Sequence, residues 1–361
     1  FKPGSYDFTD GIDSDGQGHG PFMIRMTLNV TSDRIEIDAT RTDDQAPGPV
    51  NFLMNPAVPK MVFGIYAISR DPSLLINEGA MHAIDEVKVR EGSLLQPRFP
   101  APLNQRGLTL IRTVNVCAGL MNVASGGQAV AATAAYSLLF LRGHDPSGKA
   151  FLVADGIGVG HGARPFADGH NGVYYVAQEN NPAEFLDQMY PMRLLRYEMR
   201  LDSAGPGQFR GGAGVVREVQ WLGPDAILAI RIDGIKNPAW GVKGGHAGRG
   251  GGCTVNPGSN SEIAVSPLSD GVVVKNGDII RFQTCGGGGW GHPFDRALDL
   301  VLDDVRGGYV SVDGAADDYG VVVIEEDGEY ELDAVATERL RRDARSPVKL
   351  FHNGEYVEAM I

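Results

Sequence analysis

His161, Asp168 and His170 form the densest group of possible metal ligands in the chain. Imidazole nitrogens and a carboxylate suit zinc or another first-row ion. In a glycine-rich loop the same residue types also cap turns and bond to backbone. They are therefore expected as a second-rank polar site that supports a centre rather than ligating it. The run leading into them, Asp155-Gly156-Ile-Gly158-Val-Gly160-His161, has the glycine spacing of a dinucleotide fingerprint. That fingerprint needs a preceding strand, a helix opening on the last glycine and an acid about 20 residues on. Pro165 and the turn around Asp168-Gly169-His170 follow instead, so a Rossmann site is excluded.

A second constellation lies in Cys285-Gly286-Gly287-Gly288-Gly289-Trp290-Gly291-His292-Pro293-Phe294-Asp295-Arg296. Residues without Cβ atoms allow φ > 0 and close backbone approach, and successive amides can converge on an anion. A helix is expected from Pro293, adding its N-terminus to such a cradle. Arg210, in the glycine-lined bend Asp202-Ser203-Ala-Gly-Pro-Gly-Gln-Phe-Arg210-Gly-Gly, offers a bidentate donor for phosphate or carboxylate. A buried arginine bonded to loop carbonyls is an equal reading of Arg210. The expectation is an anion- or substrate-accepting wall of Gly286, Gly287, Gly288, Gly289 and Gly291 with Arg210 and Arg296. On that expectation, Gly288→Ala and Arg296→Gln lower turnover more than stability.

Other candidates carry less chemistry. Asp13-x-Asp15-Gly16 has the start of a calcium loop but lacks the later bidentate glutamate, so an aspartate-stabilised turn is preferred. No nucleophile elbow such as GxSxG is present. Cys117, Cys253 and Cys285 are flanked by apolar or glycine residues and read as packed thiols.

The elements that must position these residues are mostly strands. Phe22 to Thr40 alternates at period two around a Thr-Ser-Asp turn and reads as a hairpin, preceded by a carboxylate-rich loop from Asp7 to Gly16. Further strands are expected at Met192–Leu201, Gly214–Leu222, Ala226–Asp233 and Gly271–Gln283, with a hairpin over Val321–Leu332. Helices are expected at Val58–Ser69, Thr113–Ala124, Pro182–Met189, Pro293–Val305 and Ala334–Ala344. Strands and helices do not alternate regularly. The fold class is therefore a β-rich α+β architecture with glycine-rich loops, not a doubly wound sheet.

The 361 residues allow two lobes, divided as 1–150 and 151–361. With 49 glycines and 21 prolines, many tight turns and ordered loops are expected. The balance of 32 basic against 45 acidic residues, net −13, disfavours nucleic acid or an anionic membrane surface as partner. No stretch reads as a bilayer span, and no basic-then-apolar leader opens the chain. Three cysteines without CxxC spacing fit a reducing, cytoplasmic compartment. The opening at Phe1 rather than methionine is read as a fragment, a processed product or one part of a split subunit.

Several motifs together resemble the hydantoinase B/5-oxoprolinase family. They are Gly4-Ser-Tyr6, Asp13-Ser-Asp-Gly16, Gly48-Pro-Val-Asn51, the Asp202–Gly212 bend, Pro238-Ala-Trp-Gly-Val-Lys-Gly-Gly245 and Gly286–Gly291. Asp304-Val-Arg-Gly-Gly-Tyr-Val-Ser311 and Asp317-Asp-Tyr319-Gly-Val-Val follow in family order. The chain departs at His292-Pro293, where the family more often has an acid. The resemblance implies the C-terminal majority of a B-type unit, with metal ligands on an N-terminal part that has no counterpart here, so none is assigned. It further implies a hydantoinase-A-like ATPase partner using ATP-Mg and a divalent metal (Zn, Mn or Fe) in the complete complex. An N-terminal B-type segment or split-subunit chain completes the implied partners. The implied reaction is ATP-dependent opening of a cyclic amide through a phosphorylated intermediate, which converts a poor electrophile into one open to metal-bound water. A subunit of a ketone carboxylase of the acetone or acetophenone type is the enzyme alternative, and a non-catalytic scaffold for a metal-bearing partner is the third.

Overall fold

The computed structural model describes residues 1–69, 73, 78–145, 147–174 and 181–353. The chain forms two compact units, Phe1–Ala132 and Thr133–Ile361. The division falls before the expected boundary at 150 because Ser137–His144 and Ala150–Ile157 pair with one another as a hairpin. A cut at 150 would run through that hairpin.

In the first unit, strands β1 (Gly4–Ile12), β2 (Phe22–Val30) and β3 (Ile35–Asp38) form an antiparallel meander, and β4 (Glu86–Lys88) joins β3 in parallel. The β2–β3 hairpin matches the period-two reading. The expected loop from Asp7 is corrected: its first half belongs to β1, whose residues pair one for one with β2 from Gly4↔Val30 to Ile12↔Phe22. Its acids are accommodated by cross-strand bonds, as when Thr27 Oγ1 donates to Asp7 at 2.6 Å.

Helix α1 (Ala57–Ser69) and the longer α2 (Arg106–Ser125) complete the unit. Contrary to expectation, α2 is long and apolar enough to cross a membrane, with mean hydropathy 1.3. It is a core helix: 72% of the window is buried, and Arg112 pairs with Asp10 of β1 at 3.2 Å with both side chains 2% exposed. The turn after β1 follows the aspartate reading. Asp15 Oδ1 accepts from the Gln17 and His19 amides, and Oδ2 accepts from Gly48 N.

The second unit is built around two sheets. One has the order β13 (Asp270–Val274), β9 (Ala226–Arg231), β5 (Ser137–His144), β6 (Ala150–Ile157). The other runs β12 (Ile263–Val265), β11 (Gly252–Val255), β14 (Ile279–Gln283), β8 (Val215–Trp221), β7 (Met192–Met199). Alternate residues of both sheets share one core, including Leu141, Leu228 and Ile230 from the first and Val219, Trp221 and Phe282 from the second. That is the period expected when each sheet buries one face. The single strand expected over Gly271–Gln283 is two strands in different sheets, separated at Gly277 with φ 89°.

Helix α3 (Ala183–Met189) precedes β7 as expected. The expected helix Pro293–Val305 is corrected to a 3-10 turn, Pro293–Asp295, followed by α4 (Leu298–Arg306). The break lies at Arg296, whose backbone is extended (φ −66°, ψ 134°). α5 (Val312–Tyr319), β15 (Val323–Glu326) and β16 (Glu329–Leu332) form a small core with α4 around Val301, Val305, Ala315 and Tyr319. α6 (Ala334–Ala344) has the expected bounds and is capped by Asp333, which accepts from Ala336 N. Finally β17 (Phe351–His352) pairs with β10 (Gly241–Val242).

Candidate functional site

The glycine run lies at the centre of a backbone lattice inside the second unit. The Gly286 amide donates to Arg249 O, Gly287 to Gly212 O, Gly289 to His246 O, Trp290 to Phe209 O and Gly291 to Val242 O. Neighbouring segments cross-link in the same way: Gly160 N donates to Cys285 O, Gly205 N to Gly287 O and Ala163 N to Gly288 O. Four stretches, 158–163, 203–214, 239–249 and 285–291, thus hydrogen-bond in several directions rather than as one ladder.

Close approach is what demands glycine here. A Cβ on Gly286 would lie 1.8 Å from Ser203 O, on Gly287 2.1 Å from His161 O, on Gly288 2.0 Å from Trp240 O and on Gly289 2.2 Å from Pro206 O. Only Gly291 of this run has a left-handed backbone, φ 74°. Of the amide donors expected to line an anion cradle, those of Gly286, Gly287, Gly289 and Gly291 are bonded to backbone carbonyls. The turn after the run is closed as well, because His292 Nδ1 accepts from Phe294 N at 3.0 Å. In that position the imidazole performs the capping that a carboxylate would perform.

Arg210 and Arg296 are buried, 4% and 2% exposed, and both grip Asp304. Arg296 also makes a bidentate pair with Asp168, both contacts 2.8 Å, and donates to Gln208 O. Arg210 donates to Asn171 Oδ1 and Gly211 O, and lies 4.8 Å from the Tyr309 ring centroid. Burial pushes the Asp168 carboxyl upward, but hydrogen bonding and charge from Arg296 outweigh it and hold Asp168 below its ordinary range. Burial dominates at Asp304 and raises it against the pull of Arg210 and Arg296. The two arginines and two aspartates form an internally neutral quartet that ties the 168–171 loop, the 208–211 bend and α4 together. Both arginines direct donors at carboxylates and carbonyls of the chain itself, the arrangement that the buried-arginine reading describes.

His161 and His170 do come together, with ring centroids 6.0 Å apart. Burial, with lesser contributions from His170 and Arg164, pushes His161 down to about 4, so it is neutral near pH 7. Asp168 belongs to Arg296 rather than to this pair. Among the described residues no group of three or more His, Cys, Asp and Glu side chains could hold a metal ion. The residues present thus do not build a divalent-metal centre within the described part of this chain. Sequence reasoning missed Asp304 as the shared acid and Asn171 as the second acceptor for Arg210. Asn171 and Asp304 lie 39 and 94 residues from Arg210, and the nearby Arg296 reaches Asp304 only because the helix does not run through Arg296. The cysteines are buried as expected, and burial raises the Cys117 and Cys253 thiols to about 12.

The two-sheet core, the glycine lattice and the buried charge quartet make this a chain of the α+β class. The description hydantoinase B/oxoprolinase matches residues 1–293, and the chain belongs to that family. It is 28% identical to the B-type component of a putative D-/L-hydantoinase from a Pseudomonas species, over 93% of this chain and 57% of the relative. Among solved structures, nucleotide-free acetone carboxylase shares the fold with a TM-score of 0.78 at 19% identity, covering 94% of this chain and 52% of that one. The ATP-dependent caprolactamase of Pseudomonas jessenii does so with a TM-score of 0.76 at 24% identity, covering 94% and 60%. The chain thus spans little more than half the length of these proteins.

Proposed function

We propose that the chain is the major part of a B-type subunit in an ATP-dependent hydrolase of cyclic amides such as hydantoin, 5-oxoproline or a related lactam. The observation that carries this reading is the reach of the similarity to a B-type hydantoinase component, through 93% of the chain. In this reading a hydantoinase-A-like partner phosphorylates the amide oxygen with ATP-Mg. The B-type unit then holds the activated ring while hydrolysis proceeds. A divalent metal (Zn, Mn or Fe) would come from protein beyond the described residues. The contribution of this chain in this reading is to hold its loops in place through the lattice and the Asp168–Arg210–Arg296–Asp304 quartet, as a preorganised site requires. We place the complex in the cytoplasm, where ATP is available and free thiols persist. Neither a membrane nor nucleic acid is a partner in this reading.

The shared fold of acetone carboxylase keeps a ketone carboxylase as the second reading, and a non-catalytic scaffold as the third. The test is an assay of the full-length protein with its A-type partner, metal and ATP. Ring-opened product formed in proportion to ADP, without bicarbonate, is the expected result. Bicarbonate-dependent consumption of acetone or acetophenone would replace the hydrolase with the carboxylase. If the partner alone, loaded with metal, gives full turnover, the scaffold reading stands instead.

A further inference from the structure

We propose that Arg164 and His170 form a binding site for a small oxyanion, a carboxylate or a phosphate, on the face of the 158–174 loop. Arg164 Nη2 lies 3.5 Å from His170 Nε2 and donates to Asp168 O at 2.8 Å. In that contact the imidazole Nε2 accepts; an arriving anion would replace it as the acceptor for Arg164 and take a second hydrogen bond from the imidazole in its Nε2–H form. Among the described residues the side-chain contacts of Arg164 are Asp168 O, His170 Nε2 and the Phe166 ring, none of them a carboxylate, although acids outnumber bases 45 to 32 in this chain. The neighbouring acid, Asp168, is held in a bidentate pair by Arg296.

The surroundings fit a binding surface. His170 is exposed, and Phe166, 69% exposed, has its ring centroid 5.6 Å from the Arg164 guanidinium carbon, so an aromatic face supports the cation beside solvent. The loop itself is rigidly held. His161 N donates to His170 O, Gly169 N to Arg210 O, and Arg164 N to Ala167 O. Ordering the donors in advance reduces the entropy cost of capturing the ligand. This site does not depend on the catalytic reading above, because its ligand is defined by charge and geometry alone.

The test is calorimetric titration of the protein with inorganic phosphate and, separately, with acetate, at ionic strength fixed with chloride. Saturable binding of either anion is expected in the wild type, the stronger one identifying phosphate or carboxylate as the preferred group. Arg164→Gln should weaken it about tenfold or more, the loss of a charge-assisted contact. His170→Gln, at an exposed position, should weaken it more modestly without disturbing the fold. Arg142→Gln, removing an exposed arginine paired with Asp270, is the charge control and should leave affinity unchanged. Absence of saturable binding for both anions would overturn the proposal. So would equal affinity in wild type, R164Q and H170Q, or equal weakening by R142Q.

Discussion

Arg296 is the residue on which the lattice and its surroundings converge, because its guanidinium meets Asp168, Asp304 and Gln208 O while its carbonyl accepts from Arg341. Removing one partner leaves a buried charge unmatched, at a cost of about 3–5 kcal/mol. Arg296→Gln should therefore lower the unfolding free energy by about that amount in equilibrium denaturation, and Asp168→Asn by less, because Arg296 keeps Asp304 and the Asp168 side chain is 34% exposed. A second residue-scale expectation concerns pH. Burial, then neighbouring His170 and Arg164, depresses His161 to about 4, and burial, then His352 and His292, depresses His246 likewise to about 4. Between that value and the ordinary 6.5 the unfolded chain binds protons that the folded one refuses. Stability should hold above about pH 6.5 and fall as pH drops toward 4, by a few kcal/mol in total. His161→Gln should flatten that slope in a series of thermal melts across this range.

At the scale of elements, the packing of α2 on β1 depends on a missing Cβ. Gly119 of α2 faces Phe8 of β1, and a Cβ there would lie 2.2 Å from the ring. Gly119→Ala should destabilise by about 1–3 kcal/mol, the usual cost of overpacking. Combining it with Phe8→Ala should recover part of the loss, since residues in contact are not additive. A chemical denaturation cycle over the four proteins measures both. Elements with local signals were legible in sequence. Asp327-Gly328, both with positive φ, marks the β15–β16 turn, and Asp333 marks the start of α6. α5 was missed, although Ser311 caps its start and Gly320 its end. β5 and β6 were missed because their glycines and charged residues interrupt the alternation that only pairing makes regular. The helix predicted through Arg296 failed for a tertiary reason: the residue must turn inward to reach Asp168 and Asp304.

At the scale of the molecule, the family could be read from motifs in order, whereas their physical role could not. A run of glycines is compatible with a cradle, a linker or a lattice. Which one forms depends on what the backbone meets, here carbonyls of Ser203, His161, Trp240 and Pro206. The consequence is a reversal of one expectation: Gly288→Ala should act first on folding, with any loss of turnover following from it. Hydrogen-exchange mass spectrometry of wild type and G288A measures this most directly. Trp240 O cannot accommodate a Cβ at 2.0 Å, so amides in 158–163, 203–214, 239–249 and 285–291 should lose protection together. Protection unchanged in all four stretches, with turnover lost, would contradict the lattice account and return the glycine run to the role of an anion cradle.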